Sequence, residues 1–329
     1  TDSPNNTFQS HSKMRLPSHA RAPIIRIANG TFYRYQPTSH PPTHSQTLLD
    51  ATVHNHVHPN PPLFKNLTFE LPSFSSSPHN WCIIGPSLSG KTTFLQILRG
   101  QHLCFPPTAR TFPYLSENDV PARLRTPAKA IGYVGFEGGL NLAPETGGPM
   151  YLSARYESRR EITDFSLRDY LLGNTSLNPG PEIPGSGHIS EELLSRVVQD
   201  LKLEKLLDLP VTFLSNGQGR RARIARALLN LPEVLLLDEP FMGLDPPTVA
   251  SLSPLLKEMA EKRSPRLVLS GRPQDPIPEW VTHVVYLRTD AQVGVMGERE
   301  EVFDQLRGYV REVRRGERKE VERMPVNAL

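Results

Sequence analysis

Cysteine is scarce in this chain: Cys82 and Cys104 are the two among 329 residues. They form no C-x-x-C pair, which argues against a disulfide scaffold or a structural zinc and for a reducing, intracellular home, with cytosol and mitochondrion both open. No apolar run approaches the roughly 18 residues that a membrane-crossing helix needs, so the chain is not expected to be an integral membrane protein. Aromatics make up 7% of residues and the formal net charge is only +3, too small an excess to argue for nucleic acid as a partner. Proline, by contrast, is abundant: 33 residues, about twice ordinary usage. Many fall in two irregular stretches and so report loops rather than core.

The length suffices for one large or two modest domains plus tails. Residues 1–23 read as a disordered or targeting tail, rich in Ser, His and Asn, with Lys13, Arg15 and Arg21 against a single acid, Asp2. From Ile24 a strand pattern leads to an aromatic patch, Phe32, Tyr33 and Tyr35. A Pro/His-rich insertion over 36–62 interrupts it. There His54, His56 and His58 alternate and could share one face of a strand as Zn²⁺ or Cu²⁺ ligands, but they lack acidic or thiol partners and sit in loop-like surroundings. Strand character resumes over Leu63–Leu71 and returns at Ile131–Val134. Ser190 with Glu191 and Glu192 predicts a helix start, because acids in the first turn complement the helix dipole. From Glu298 onward, Val302, Phe303, Leu306, Val310 and Val313 recur at helical spacing, predicting an amphipathic helix and tail over 298–329.

Two motifs carry chemistry. Gly85 to Thr93 read G-P-S-L-S-G-K-T-T, after the apolar Trp81–Ile84 and before the helix-like Phe94–Leu98. A buried strand, a glycine-rich turn and a helix start aim backbone N–H groups at a polyphosphate, and the helix terminus adds partial positive charge. Gly85, Ser87, Ser89 and Gly90 would form the cradle, with Lys91 reaching the β and γ phosphates. Thr92 would ligate Mg²⁺, and Thr93 follows on the helix. Farther on, the apolar Val234–Leu237 ends in Asp238 and Glu239, two carboxylates at the C-terminal edge of a strand, where ligands bind in open α/β sheets. Asp238 would hold the metal, and Glu239 would orient and deprotonate an attacking water.

Between them stands Leu214-Ser215-Asn216-Gly217-Gln218, followed by a helix-like run to Leu228. This segment closely resembles the L-S-G-G-Q signature of the ATP-binding cassette (ABC) family. The order Lys91, Ser215, Asp238, Glu239 and then a Gly243-Leu244-Asp245 turn matches as well. The resemblance covers about Ile24 to Leu287 and implies an α/β phosphate-loop NTPase with a RecA-like core, an antiparallel β subdomain and a helical signature subdomain, here about 138–228 within a domain of 24–297. It implies ATP and Mg²⁺ as cofactors, with Ser215, Gly217, Gln218 and Asp245 contributing to a nucleotide held by a second cassette. That cassette would be a homodimer mate, a partner chain or a tandem copy. Asn216 departs from the usual Gly but tolerates a left-handed backbone. The basic run Arg220, Arg221, Arg223 and Arg226 reads as a solvated helix face rather than a nucleic-acid contact.

The adenine would stack on an aromatic, for which Tyr35 is the choice. Two departures matter more. Phe136 stands where the family carries a Gln that touches the metal and senses the partner, with Glu137 next to it. Gly271 and Arg272 stand where it carries a switch His. Both changes predict slow hydrolysis, or hydrolysis only beside a complete cassette. The resemblance implies the ATP-binding component of a transporter-like protein, docking on a membrane subunit in trans. The alternatives are a soluble ATPase that remodels a protein or nucleic-acid complex and a slow or inactive regulatory cassette.

Overall fold

The computed structural model describes residues 22–36, 60–73, 79–118, 120–135, 165–174, 189–244, 246–262 and 265–316. Most of the Pro/His insertion, with its alternating His54, His56 and His58, the N-terminal tail, Phe136, Glu137, Asp245 and much of the helical subdomain fall outside the described residues, as do positions 317–329.

The main sheet is built from short, uniformly apolar segments. β3 (Trp81–Ile84) and β7 (Val234–Leu237) are buried at every position, as a strand covered on both faces must be. With β6 (Ile131–Val134), β8 (Arg266–Gly271), β9 (His283–Leu287) and β10 (Val293–Glu298) they form a six-stranded sheet in the order β10-β9-β3-β8-β7-β6. All neighbours are parallel except the edge strand β10, which runs antiparallel to β9. The α/β class expected from the sequence is therefore the observed one.

Strand alternation divides the interior into two cores. Ile83, Leu236, Val268 and Val285 face one cluster, while Cys82, Leu235, Leu237, Leu269 and Val284 face the other. The first cluster is shared with a smaller antiparallel sheet. There β1 (Ile25–Tyr33) pairs with β2 (Phe64–Leu71), with Ile27 opposite Phe69 and Phe32 opposite Phe64, and the short β4 (Leu103–Phe105) and β5 (Arg110–Thr111) flank β1 on its other side. Helix α1 (Lys91–Leu98) lies in the same core and is keyed to β2 by aromatic rings: Phe94 meets Phe64 and Phe69 edge-on at 5.7 and 5.6 Å, and Phe69 meets Trp81 at 5.1 Å. The small sheet thus sets where the phosphate-loop helix stands.

The remaining helices cover or adjoin the second face, apart from the single turn α2 (Pro127–Ala130), which leads into β6. α3 (Leu167–Leu172) starts at a capping box of Ser166 and Asp169. α4 (Glu191–Asp200) starts as its sequence predicts, with Ser190 Oγ accepting from the Leu193 N–H at 3.2 Å. α5 (Asn216–Leu229) follows the signature, and α6 (Pro246–Lys262) connects β7 to β8. α7 (Arg299–Arg314) buries Val302, Phe303 and Leu306 against the core. Both cysteines are buried and free, and burial pushes the Cys82 thiol up to about 12.

Because Phe69 is 1% exposed and touches both β3 and α1 through rings, Phe69→Ala is expected to cost about 3–5 kcal/mol in urea unfolding. A loss below about 1 kcal/mol would mean that the small sheet does not brace the phosphate-loop helix.

Candidate nucleotide site

The chain leaves β3 at Gly85, where a side chain has no room: a Cβ would stand 2.5 Å from Ser89 Oγ and 2.7 Å from the Leu287 carbonyl oxygen. Gly90 enters α1 at φ 88, the left-handed region that glycine reaches without strain. Between them Leu88 also holds a positive φ, 67, and its side chain is 98% exposed at the tip of the loop. Ser87 is exposed, and Ser89 is fully buried with its hydroxyl unpartnered among the described residues. Lys91, 6% exposed, turns back into the loop and donates to the Gly85 and Pro86 carbonyls at 3.0 and 3.1 Å. Thr93 is half-buried on the helix.

β8 lies between β3 and β7, so the phosphate loop and the Asp238-Glu239 pair emerge on either side of Ser270. Asp238 is 3% exposed and accepts three hydroxyls: Thr92 at 2.7 Å and Tyr133 at 3.1 Å on Oδ2, and Ser270 at 2.5 Å on Oδ1. Glu239 approaches Lys91 Nζ at 3.3 Å, and its N–H donates to Ser270 Oγ at 2.9 Å. Its backbone is left-handed, φ 44, a conformation that costs a non-glycine residue roughly 1–2 kcal/mol. Such strain persists where the surroundings over-determine it.

The signature serine begins α5. Ser215 Oγ accepts from the Gln218 N–H at 3.3 Å, and Gln218 Oε1 accepts from the Ser215 N–H at 2.9 Å, a complete capping box. Ser215 is exposed and Gly217 buried. Asn216 is the first helical residue and needs no left-handed backbone, so the tolerance expected of it is not called on. The four arginines that follow correct the reading of a solvated face. Arg220 is 6% exposed and donates to the Glu239 carbonyl. Arg221 donates to the Leu201 carbonyl at 3.3 Å, Arg223 to the Gly135 carbonyl at 2.8 Å, and Arg226 lies 4.5 Å from the Tyr170 ring centroid. Their charge is used inside the fold.

Of the three aromatics upstream of the phosphate loop, Phe32 is fully buried and Tyr33 packs edge-on against Phe105 at 5.8 Å. Tyr35 is 64% exposed, its backbone held by the Asn60 amide, which donates to its carbonyl at 2.8 Å. At the end of β8, Arg272 makes a two-pronged ion pair with Asp275 at 2.8 and 2.9 Å, and this pairing raises its pKa. Tyr133 and Ser270 escaped the sequence reading, and Arg220 entered it only as part of a solvated face. Ser270 alone had a signal there, as the polar last member of an apolar run.

A six-stranded α/β sheet with a phosphate loop and a paired Asp-Glu at its C-terminal edge defines a phosphate-loop NTPase. The more particular assignment follows from comparison: the model of the ABC transporter family matches residues 64–242, and the chain belongs to that family. An uncharacterised ABC transporter ATP-binding protein of Schizosaccharomyces pombe is 38% identical over 243 residues, 74% of this chain and 44% of that protein. A counterpart in Saccharomyces cerevisiae is 30% identical over 310 residues, 92% and 49% of the two chains. The chain therefore spans about half the length of these relatives. Among solved structures, the cbiO1 cassette of Clostridium perfringens aligns at TM-score 0.53 and 18% identity, covering 89% of this chain and 95% of its own, which shows the shared fold. Among the described residues, no helix is long and apolar enough to cross a membrane.

Ser270 serves Asp238 and Glu239 at once and is 2% exposed. Ser270→Ala is expected to lower stability by about 1–3 kcal/mol in chemical denaturation, the cost of leaving buried polar groups short of a partner. An unchanged midpoint would sink this account of the strand-edge network.

Proposed function

We propose that this ABC cassette binds MgATP and hydrolyses it at a composite site completed by a second cassette. The observation that carries the reading is the convergence of Thr92, Asp238, Lys91 and Glu239, with 2.7 Å between the first pair and 3.3 Å between the second. The residues present fit a divalent cation and a polyphosphate. Thr92 and Asp238 are hard oxygen donors already within reach of one another, and the buried Ser89 hydroxyl lacks a partner among the described residues. Thr92 and Asp238 would hold Mg²⁺, which neutralises charge on the transferring phosphate oxygens. Lys91 pairs with the phosphates as a point charge, and Glu239 takes the proton of the attacking water. The water becomes bonded to the γ-phosphorus as the bond to the β–γ bridging oxygen breaks, leaving ADP and inorganic phosphate.

Ser215, exposed at the start of α5, offers its hydroxyl to the nucleotide of the second cassette, and Gly217 and Gln218 follow in the same turn. Tyr35 stacks the adenine, its exposed ring projecting from a braced backbone. Asp245 is proposed for the same interface from its sequence position alone. The relatives are named as ABC transporter ATP-binding proteins, which supports an ATP-binding component of a transporter-like protein; such a component would work on a membrane subunit in trans. Co-sedimentation of the native complex with membranes after a salt wash is the expected result. Recovery with soluble complexes supports the remodelling alternative.

A slow turnover has its own support. The Arg272 guanidinium, which stands after β8 where the family's switch histidine is expected, is already forked onto Asp275 and cannot shuttle a proton as imidazole can. Steady-state turnover well below the enzyme median of about 10 per second is expected. A rate at or above that median would refute it.

Lys91→Ala should abolish binding of a fluorescent ATP analogue. Glu239→Gln should keep binding and lower turnover by at least about 100-fold, the scale of a lost general base. Retained turnover in Glu239→Gln would reject the assignment of the base.

A further inference from the structure

Arg220 lies five positions beyond Ser215 on α5, in the first turns of the signature helix. It is nearly inaccessible to solvent, and Nη1 donates to the main-chain carbonyl of Glu239. Placing a guanidinium there is costly, and burial, its largest influence, brings its pKa down to about 10, still charged at neutral pH. The Asp238 and Glu239 carboxylates nearby work the other way and favour the charged form, so the guanidinium is held at the edge of the site rather than merely filling space.

Glu239 is pinned on both sides of its Cα: Ser270 Oγ accepts its N–H at 2.9 Å, and Arg220 donates to its carbonyl. Between these two anchors the residue keeps a left-handed backbone, φ 44. A glutamate relaxed to ordinary φ would swing its Cα–Cβ bond and with it the carboxylate now 3.3 Å from Lys91. Ser270 belongs to β8, but Arg220 belongs to the signature helix. Three residues on, Arg223 ties the same helix to the Gly135 carbonyl at the end of β6, at 2.8 Å. The helix that presents Ser215 is therefore wired to both loops that follow β6 and β7.

We propose that Arg220 is a positioning residue for Glu239, transmitting the placement of the signature helix to the carboxylate that prepares the attacking water. This rests on the hydrolysis reading above. Arg220 touches neither phosphate nor water in this role. It acts through the peptide of Glu239.

The test uses the intact protein with its second cassette, comparing Arg220→Gln, Arg220→Lys and Glu239→Gln for kcat, KM for ATP, affinity for a fluorescent ATP analogue, and thermal midpoint. Arg220→Gln is expected to lower kcat about 10- to 100-fold, as misplacement of a catalytic group by about 1 Å does. KM and analogue affinity should stay within about twofold, and Arg220→Lys should recover part of the rate. Unchanged kcat in Arg220→Gln, a KM that rises in step with the loss, or a lysine variant no better than glutamine would overturn the proposal. Should Arg220→Gln not fold, Arg220→Lys decides alone: a kcat lowered about 3- to 10-fold at unchanged KM supports the role, and a wild-type kcat ends it. Full turnover in Glu239→Gln would instead remove the hydrolysis reading and this inference with it. An inactive Glu239→Gln beside a fully active Arg220→Gln removes only the inference.

Discussion

One buried carboxylate holds the site together. Asp238 follows directly on β7, and its two oxygens collect hydroxyls from α1, β6 and β8 through Thr92, Tyr133 and Ser270. A buried anion needs such donors, since stripping a carboxylate of water without replacement is prohibitive. Each donor therefore has a fixed place, and with it the element that carries the donor. Thr92 orients the first turn of the phosphate-loop helix, and Ser270 goes on to accept the Glu239 N–H. The strand edge that carries the candidate site is arranged around Asp238 rather than around the glycine loop alone.

The arginines extend this arrangement outward. A backbone carbonyl is a weak partner for a full charge, yet Arg220, Arg221 and Arg223 all choose carbonyls, at Glu239, Leu201 and Gly135. Guanidinium suits the task because its planar fork loses little further freedom once packed, and it stays protonated even when burial works against it. The result is a helix whose register against the sheet is fixed by directional bonds as well as by apolar contacts such as Ile224 and Ala225. A helix held by packing alone could slide by a fraction of a turn at modest cost. One held by two directed bonds to the strand ends and a third to the end of α4 cannot do so without breaking them together.

What the sequence made legible was local. The phosphate loop, the Asp238-Glu239 pair and the helix starts at Ser190 and Ser215 each depend on residues within a few positions of one another, so their geometry follows from spacing. The C-terminal helix was readable from its period and packs where its apolar stripe requires. What stayed hidden was tertiary. β9 and β10 complete the sheet with a run that carries no distinctive turn signal, and nothing local says that Tyr133 reaches Asp238 from the neighbouring strand. The arginine run was misread for the same reason: at helical spacing a basic residue looks solvated until the strand ends beside it are known. The positive φ values at Leu88 and Glu239 are likewise imposed by the assembled fold, since neither residue favours that region by itself.

The close approach of Lys91 to Glu239 limits how any single substitution can be interpreted. The two side chains are 6% and 15% exposed at 3.3 Å, so removing either leaves the other charged in a poorly solvated place. A change at Lys91 thus disturbs the carboxylate as well as the loop, and a change at Glu239 alters how strongly the ammonium is held against its own loop carbonyls at Gly85 and Pro86. The phosphate-binding and water-activating functions proposed for these residues are physically one charge system. Arg220 stands beside that pair: it donates to the Glu239 peptide carbonyl, and the Asp238 and Glu239 carboxylates favour its charge. Replacing it by a neutral residue therefore changes the aim of the carboxylate and the local charge together, whereas lysine keeps the charge and loses the planar fork, which separates the two in a site where they are otherwise entangled.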